Sequence, residues 1–356
     1  MRGALAGGDP ILQVRRNKRP FAPRPIEGCR LQQAFFSNYQ SLRVTRRTAG
    51  KRKPISMLKA LTLITTPGFA DYVLLDSGNG RKLERFGAIT VDRPEPQALW
   101  PQRLATQAWT NAHAVFSASG EDDEKGKWRV DRPVPDSWPV RIDIGPRAVT
   151  MQCRLSGLWH LGLFPEQLPH WQFMLEQIAG ITGETPRVLN LFGYTGAASL
   201  IAASAGAEVT HVDASKKAIA WGKDNQAASG LGAAKVRWML DDAVKFVARD
   251  VRRGKTYHVI LVDPPKFGRG PDGETWDIYR DVAPLLADCV KLLAPQSASM
   301  VLTVYAIRAS ALTFHQLLAE TLKGRAGRYE TGELAIAEQA GQRAVPTSLF
   351  TRWVGS

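Results

Sequence analysis

The chain has 356 residues, 44% of them apolar, and a formal net charge of +14. That length predicts two domains, or one domain with an extension, and the apolar share suffices for an ordinary core. No run reaches the roughly 18 apolar residues of a membrane span. Asp9, Arg15 and Arg16 stand where a secretory signal would be apolar. Cys29, Cys153, Cys289 and the six histidines form no C-x-x-C or H-x-x-x-H pair, so neither a disulfide framework nor a metal site is expected, and a reducing, cytoplasmic compartment fits.

Residues 1–56 hold 13 Lys/Arg and two acids, whereas the remaining 300 residues hold 34 and 31. The basicity therefore belongs to the first segment, which carries VRRNKRP, VTRR and GKRKP between scattered prolines. Without sustained periodicity it has too little apolar surface to offset its ordering entropy and reads as a disordered basic extension. Three readings fit it: an RNA-binding arm, an organellar presequence, or upstream sequence translated from a misplaced start, since Met57 opens the first patterned stretch.

Residues 57–150 read as a small β-rich accessory domain. YVLLDSGNGRKLERFG predicts strand, turn and strand, with Ser77-Gly78-Asn79-Gly80 as the turn. The stretch 91–100 is broken by prolines, EDDEKGKW at 121–128 reads as a charged loop, and VRIDI at 140–144 alternates as a half-buried strand does. Trp100, Trp109, Trp128, Trp138 and Trp159 fall near this unit; they suit either base stacking or, as is the default for Trp, core and interface packing.

From about residue 165 the pattern becomes alternating helices and strands. A helix begins near Pro165, then strands are expected at 187–192, 207–213, 235–240, 257–263 and 297–305, each followed by a helix, with a loop from 263 to about 275. Two late strand candidates, 329–337 and 348–354, close the chain. This alternation predicts an α/β fold with a doubly wound, mostly parallel sheet over residues 151–356, and the apolar runs LNLF and VILV suit strands covered on both faces.

Such sheets bind ligands beyond the carboxyl ends of their strands. The first of these strands ends Asn190-Leu191-Phe192-Gly193-Tyr194-Thr195-Gly196, a G-x-x-G turn and not the G-x-G-x-x-G of a dinucleotide site, which argues against a nicotinamide-dependent oxidoreductase. The second ends at Asp213-Ala214, where an acid accepts hydrogen bonds from ribose hydroxyls; Ser215 is the better candidate to cap the next helix. The third ends at Asp241-Asp242, and Asp242 suits both an adenine contact and a helix cap. The fourth ends Asp263-Pro264-Pro265-Lys266-Phe267, a stiff loop with an aromatic stacking face.

VLNLFGYTGAASLIAASAGA, HVDASKKAIAWGKDNQAASGL, VILVDPPKF and the lead-in HLGLFPEQ at 160–167 resemble the motifs of Rossmann-like class I methyltransferases acting on large-subunit ribosomal RNA, a family that includes cytosine-C5 and guanine-N7 enzymes. The resemblance spans about residues 155–310. It implies S-adenosylmethionine as cofactor and ribosomal RNA as partner. It also implies that Asn190, Phe192, Gly193, Tyr194, Thr195 and Gly196 contact the methionine moiety, Asp213 the ribose and Asp242 the adenine, with Ala214 also in the cofactor site and Gln167 reaching in from the preceding helix. Asp263, Pro264, Pro265, Lys266 and Phe267 would border the methyl group and the acceptor.

Two departures bear on chemistry. Members that methylate cytosine C5 carry a cysteine just after the fifth strand and attack the base covalently; here LTVYAIRAS has Tyr305 and no cysteine. Dedicated amino-methyltransferases place an aromatic residue directly after the two prolines; here Lys266 intervenes, so no target atom is assigned. The expectation is therefore direct methyl transfer to RNA, assisted by Asp263. Rival readings are methylation of a protein or small molecule, and a catalytically silent RNA-binding protein. Nothing in the sequence sets an oligomeric state.

Overall fold

The apolar runs near the middle of the chain become central strands of one eight-stranded sheet. The computed structural model describes residues 58, 60–119, 122–305 and 307–356; the basic extension expected over 1–56 lies outside them. In chain order the first part contains β1 (Thr62–Thr66), β2 (Tyr72–Gly78), β3 (Arg81–Phe86), β4 (Ile89–Pro94), α1 (Thr106–Thr110), β5 (Ala114–Ser119), β6 (Asp122–Val130), β7 (Trp138–Ile142) and β8 (Val149–Cys153). The second part contains a 3-10 turn at Pro165–Gln167, α2 (Leu168–Ala179), β9 (Arg187–Leu191), α3 (Ala197–Ser204), β10 (Glu208–Asp213), α4 (Lys216–Ala228), β11 (Val236–Leu240), α5 (Ala243–Arg252) and β12 (Val259–Val262). It continues through β13 (Phe267–Arg269), β14 (Thr275–Asp277), α6 (Ile278–Lys291), β15 (Ser299–Val304), α7 (Ala311–Thr321), β16 (Gly327–Ala337) and β17 (Ala344–Gly355).

The large sheet runs β1-β16-β17-β15-β12-β9-β10-β11, and every pairing is parallel except those of β17 with β15 and β16. Side chains alternate across it. Val188, Val209, Val259, Leu261 and Val301 enter one core layer with α2 and α3, while Leu189, Leu191, Val212, Ile260, Met300 and Leu302 enter the opposite layer with α5, α6 and α7. A strand covered on both faces has no polar side to show, which is why these runs are uninterrupted. Order reverses between β9 and β12: β9 leads outward to β10 and β11, and β12 leads the other way to β15. The loops leaving the two strands diverge there and leave a crevice.

The hairpin read from YVLLDSGNGRKLERFG forms as β2 and β3, with Asn79 and Gly80 at φ +52° and +73°, as a two-residue I′ turn requires. β2 to β6 make a five-stranded sheet, and β7 pairs with β8. β1 behaves differently from its neighbours in sequence: it pairs in parallel with β16 at the edge of the large sheet. Its last residue, Thr66, lies opposite Ile336 at the carboxyl edge. The chain therefore passes straight from that edge into the small sheet, where Gln339 N donates to Leu74 O at 2.8 Å.

Two expected loops are strands. From Asp122 onward this charged stretch, EDDEKGKW, forms most of β6, paired with β5. Trp128 packs edge-on against Phe116 at 5.2 Å, and Gly126 comes so close to Ser117 O and Phe116 that a Cβ would collide; these contacts outweigh the charge that made the segment look like a loop. The stretch after residue 263 contains the small hairpin β13–β14, pinned because Trp276 is buried and its Nε1 donates to Pro265 O at 2.7 Å.

Candidate functional site

The crevice opens into a cavity of about 1000 Å³ over the carboxyl ends of the large sheet. The loop after β9 is coiled by left-handed residues: Phe192 at φ +57°, Tyr194 at +51° and Gly196 at +87°. Non-glycine residues hold that conformation only when surrounding contacts fix it. Asn190 Nδ2 donates to Ser199 Oγ at 2.9 Å, and Ser199 Oγ meets His211 Nδ1 at 2.9 Å. Thr195 Oγ1 donates to Gly162 O at 2.5 Å, and Asn225 Nδ2 donates to Thr195 O at 2.9 Å. The two glycines are explained by packing: a Cβ on Gly193 would lie 2.4 Å from the His211 ring, and one on Gly196 would lie 2.6 Å from Trp238. Asn190, Phe192, Gly193, Tyr194 and Thr195 border the cavity, whereas Gly196 faces Trp238 instead.

Asp213 ends β10. Its Oδ2 accepts from Tyr194 N and its Oδ1 from Ser215 N, each at 2.8 Å. Burial raises its carboxyl above the ordinary value, partly offset by those two donors. A carboxylate has about four acceptor sites, so each oxygen keeps capacity toward the cavity, which Ala214 also borders. Ser215 caps α4 through Ala218 N, and Asp242 caps α5 through Lys245 N at 2.9 Å. The cap occupies Asp242 Oδ1, and the residue still borders the cavity.

Beyond β12 the second wall begins. Gln167 Nε2 donates to Asp263 Oδ2 at 3.0 Å, while Asp263 Oδ1 is buried with no partner among the described residues. Burial first, and the neighbouring Glu166 carboxylate second, push the Asp263 carboxyl up to about 7. Pro265 and Lys266 border the cavity; Pro264 is buried behind it, and Phe267 projects outward, 60% exposed.

The remaining wall was not anticipated from sequence. Phe164 packs against Tyr194 at 5.6 Å and Tyr305 at 6.5 Å, and Glu166 faces the cavity beside it. Lys82 and Arg93 reach in from the small sheet. Arg93 Nε donates to Glu84 Oε2 at 2.7 Å and its Nη1 to Trp159 O at 3.1 Å; Lys82 pairs with Glu95 at 3.1 Å and lies 5.4 Å from the Trp159 ring centre. Burial raises the Glu84 carboxyl, but Arg93 and Lys82 beside it bring the net below its ordinary value. Lys82, Glu84 and Phe86 share the buried face of β3, with the two charges held by Glu95 and Arg93; RKLERF has no two-residue alternation to mark that face in the sequence. For Phe164 and Glu166 the one available signal was HLGLFPEQ at 160–167, which contains them.

Neither Cys153 nor Cys289 borders the cavity; both are buried, and burial raises both thiols. Cys29 lies outside the described residues. Among the described residues no cluster of His, Cys, Asp and Glu has the arrangement of a metal site, and no helix is long and apolar enough to cross a membrane.

Residues 101–328 match the family model of S-adenosylmethionine-dependent methyltransferases. A crystal structure of the SAM-dependent methyltransferase from Agrobacterium tumefaciens is 44% identical to this chain, covers 83% of it and 94% of its own length, and superposes with a TM-score of 0.79. Ribosomal RNA large subunit methyltransferase K/L of Shewanella baltica (strain OS195) is 41% identical over 143 residues, and that of Shewanella frigidimarina 38% over 162. These matches cover 40% and 45% of this chain but only 19% and 22% of the relatives, so the chain spans about a fifth of their length.

Proposed function

Because the chain belongs to the S-adenosylmethionine-dependent methyltransferase family, we propose that it methylates RNA, with ribosomal RNA of the large subunit as the substrate class. The observation that carries the reading is the pairing, across one crevice, of Asp213 on the β10 side with Asp263 on the β12 side. The match to the ribosomal RNA methyltransferases supports the choice of RNA.

The residues fit the cofactor. The cavity has ample volume, apolar walls from Leu261, Val262 and Val301, and carboxylates at both ends, one with an unpartnered buried oxygen. That combination suits a ligand carrying cationic groups and a ribose. In this reading Gln167, Asn190, Phe192, Gly193, Tyr194 and Thr195 hold the methionine end, with Gly196 shaping the loop. Asp213 and Ala214 hold the ribose, and Asp242 lies at the adenine end. When bound, S-adenosylmethionine supplies the activated methyl group.

The chain's own residues then have three tasks. Gln167 fixes the Asp263 carboxyl in position. Asp263 orients the acceptor and takes its proton, for which a carboxyl held near neutrality is well matched. Pro264 and Pro265 stiffen the loop so that this carboxyl does not swing, while Lys266 and Phe267 stand on the acceptor side. No thiol nucleophile takes part, and transfer is direct. Residues 151–356 form the catalytic domain in this proposal, and the β-rich unit within 57–150 contributes part of the acceptor wall through Lys82 and Arg93.

Tritium transfer from labelled S-adenosylmethionine to total RNA from a strain lacking the gene tests the reading. Label in large-subunit ribosomal RNA is expected. Label confined to protein or small molecules, with none in RNA, overturns it.

A further inference from the structure

The hairpin β13–β14 has two unlike faces. Gly268 lies opposite Trp276, and on that side Trp276 is buried against Phe192 at 4.9 Å. Phe267 lies opposite Asp277, and Arg269 opposite Thr275, so by the two-residue period Phe267 and Arg269 share the other, outward face. Phe267 is 60% exposed, and Tyr279, two residues beyond Asp277, is 58% exposed; these are the two exposed aromatic rings among the described residues. Tyr279 Oη donates to Arg308 O at 3.2 Å, which ties the ring to the loop after β15.

The charges around these rings are sorted. Glu274 pairs with Lys245, Asp277 caps α6 through Tyr279 N, and Asp281 takes Arg280, so three of the hairpin region's acids have partners; Asp272 sits at the hairpin turn. Lys266, Arg269 and Arg308 have no ion-pair partner among the described residues, and all three border the cavity mouth. Lys266 Nζ lies 5.2 Å from the Phe267 ring centre. An exposed phenylalanine stays in contact with water unless something flat covers it, and three uncompensated cations along the same cavity mouth favour a polyanion. An acidic peptide satisfies the cations but leaves the rings bare; a single-stranded nucleic acid satisfies both.

We propose that this outward face, with Tyr279 and Arg308, is the track along which a single strand of RNA lies while one nucleotide enters the cavity. Bases stack on Phe267 and Tyr279, and phosphates meet Lys266, Arg269 and Arg308. The proposal rests on the RNA reading above and adds the surface that holds the strand outside the reaction centre.

The test uses the full chain and a fluorescein-labelled single-stranded oligouridylate, with a duplex RNA of equal length and polyglutamate as comparison probes. The Phe267→Ala, Tyr279→Ala double variant should bind the single strand about tenfold more weakly or worse. The slope of log affinity against log salt should be unchanged in that variant, and Phe267→Trp should retain affinity. The Arg269→Ala, Arg308→Ala double variant should also weaken binding and should flatten the salt slope by about one to two. Melting temperatures matching the wild type confirm that both variants fold; an unfolded alanine pair is replaced by Phe267→Leu, Tyr279→Leu. Wild-type binding that neither variant changes overturns the track while leaving RNA as substrate. Equal affinity for the duplex overturns the single-strand assignment. Polyglutamate binding that depends on these residues, without RNA binding, assigns the surface to an acidic peptide instead. Absence of both RNA binding and RNA methylation in the wild type removes the reading on which the proposal stands.

Discussion

Two carboxylates face each other across the crevice, and each makes a separable prediction. Asp213→Ala should weaken S-adenosylmethionine binding by about 2 kcal/mol or more, since it removes charge-assisted hydrogen bonds to two hydroxyls; calorimetry with an unchanged constant would remove Asp213 from the ribose. Asp263 acts through its proton. With its carboxyl raised to about 7, the ionised form able to accept a proton becomes the major one as pH rises through neutrality, so kcat/KM should rise with pH through that value. Glu166→Gln should move this limb toward lower pH, because a neighbouring negative charge is gone. It should not bring the limb to the ordinary carboxylate range, because burial is the larger cause. An unmoved limb would show that another group titrates. Both acids were legible in the sequence because strand ends in a doubly wound sheet are where ligands meet the chain. Asp242 was legible only as a choice, and the backbone of α5 shows its capping half. Lys82 and Arg93 were not legible, since a buried charge paired with a neighbouring strand looks the same in one dimension as a charge in water, and Glu166 appeared only as part of HLGLFPEQ, with no role of its own.

Elements that bury both faces were the easiest to read, and elements held by a single partner the hardest. β9, β12 and β15 follow from their apolar runs, whereas β10 buries Thr210 and His211 among its valines. β6 and the β13–β14 hairpin do not, because one ring in each case, Trp128 or Trp276, fixes a segment whose other residues favour solvent. β1 was not read as a strand of its own, only as part of the small β-rich unit; its place beside β16 depends on Gly332, where a Cβ would lie 1.7 Å from Thr62 O. Gly332→Val should therefore detach β1 and cost about 2 kcal/mol or more, read as a lower urea midpoint. Backbone amides of residues 62–66 should then lose hydrogen-exchange protection before those of β12. Uniform loss across the sheet would mean that the edge strand is not separately held.

At the scale of the molecule, the small sheet stays at the carboxyl edge because Arg343 ties it there. Its guanidinium donates to Asp76 Oδ1 at 3.0 Å, Glu338 Oε2 at 2.8 Å and Pro101 O at 2.8 Å, and both carboxylates are fully buried. Arg343→Ala strands these charges and should cost about 3 kcal/mol or more, with lysine restoring only part of it; a variant as stable as the wild type would show that the tie is dispensable. Acid sensitivity also belongs to this scale. Burial pushes His160 and His211 down to about 3 and His170 well below its ordinary value. The unfolded chain takes up these protons below about pH 6.5 while the folded one does not, so each histidine removes stability as pH falls, by about 1.4 kcal/mol per pH unit, until it protonates in the fold. The carboxyls that burial raises, Asp92, Glu166, Asp213 and Asp263, work in the opposite sense, so the measurable quantity is a difference. Between pH 6.5 and 4, the His211→Gln variant should lose less stability than the wild type, and parallel profiles would contradict the assignment. His211 also lies 4.4 Å from the ring of Trp238, whose indole is lodged against Gly196 and Gly222 behind the loop that follows β9. That indole is a built-in optical probe: its emission, isolated as the difference from Trp238→Phe, should shift when the loop takes up its ligand and dim when the imidazole beneath it becomes charged, reporting occupancy and acid unfolding in one spectrum without an added label.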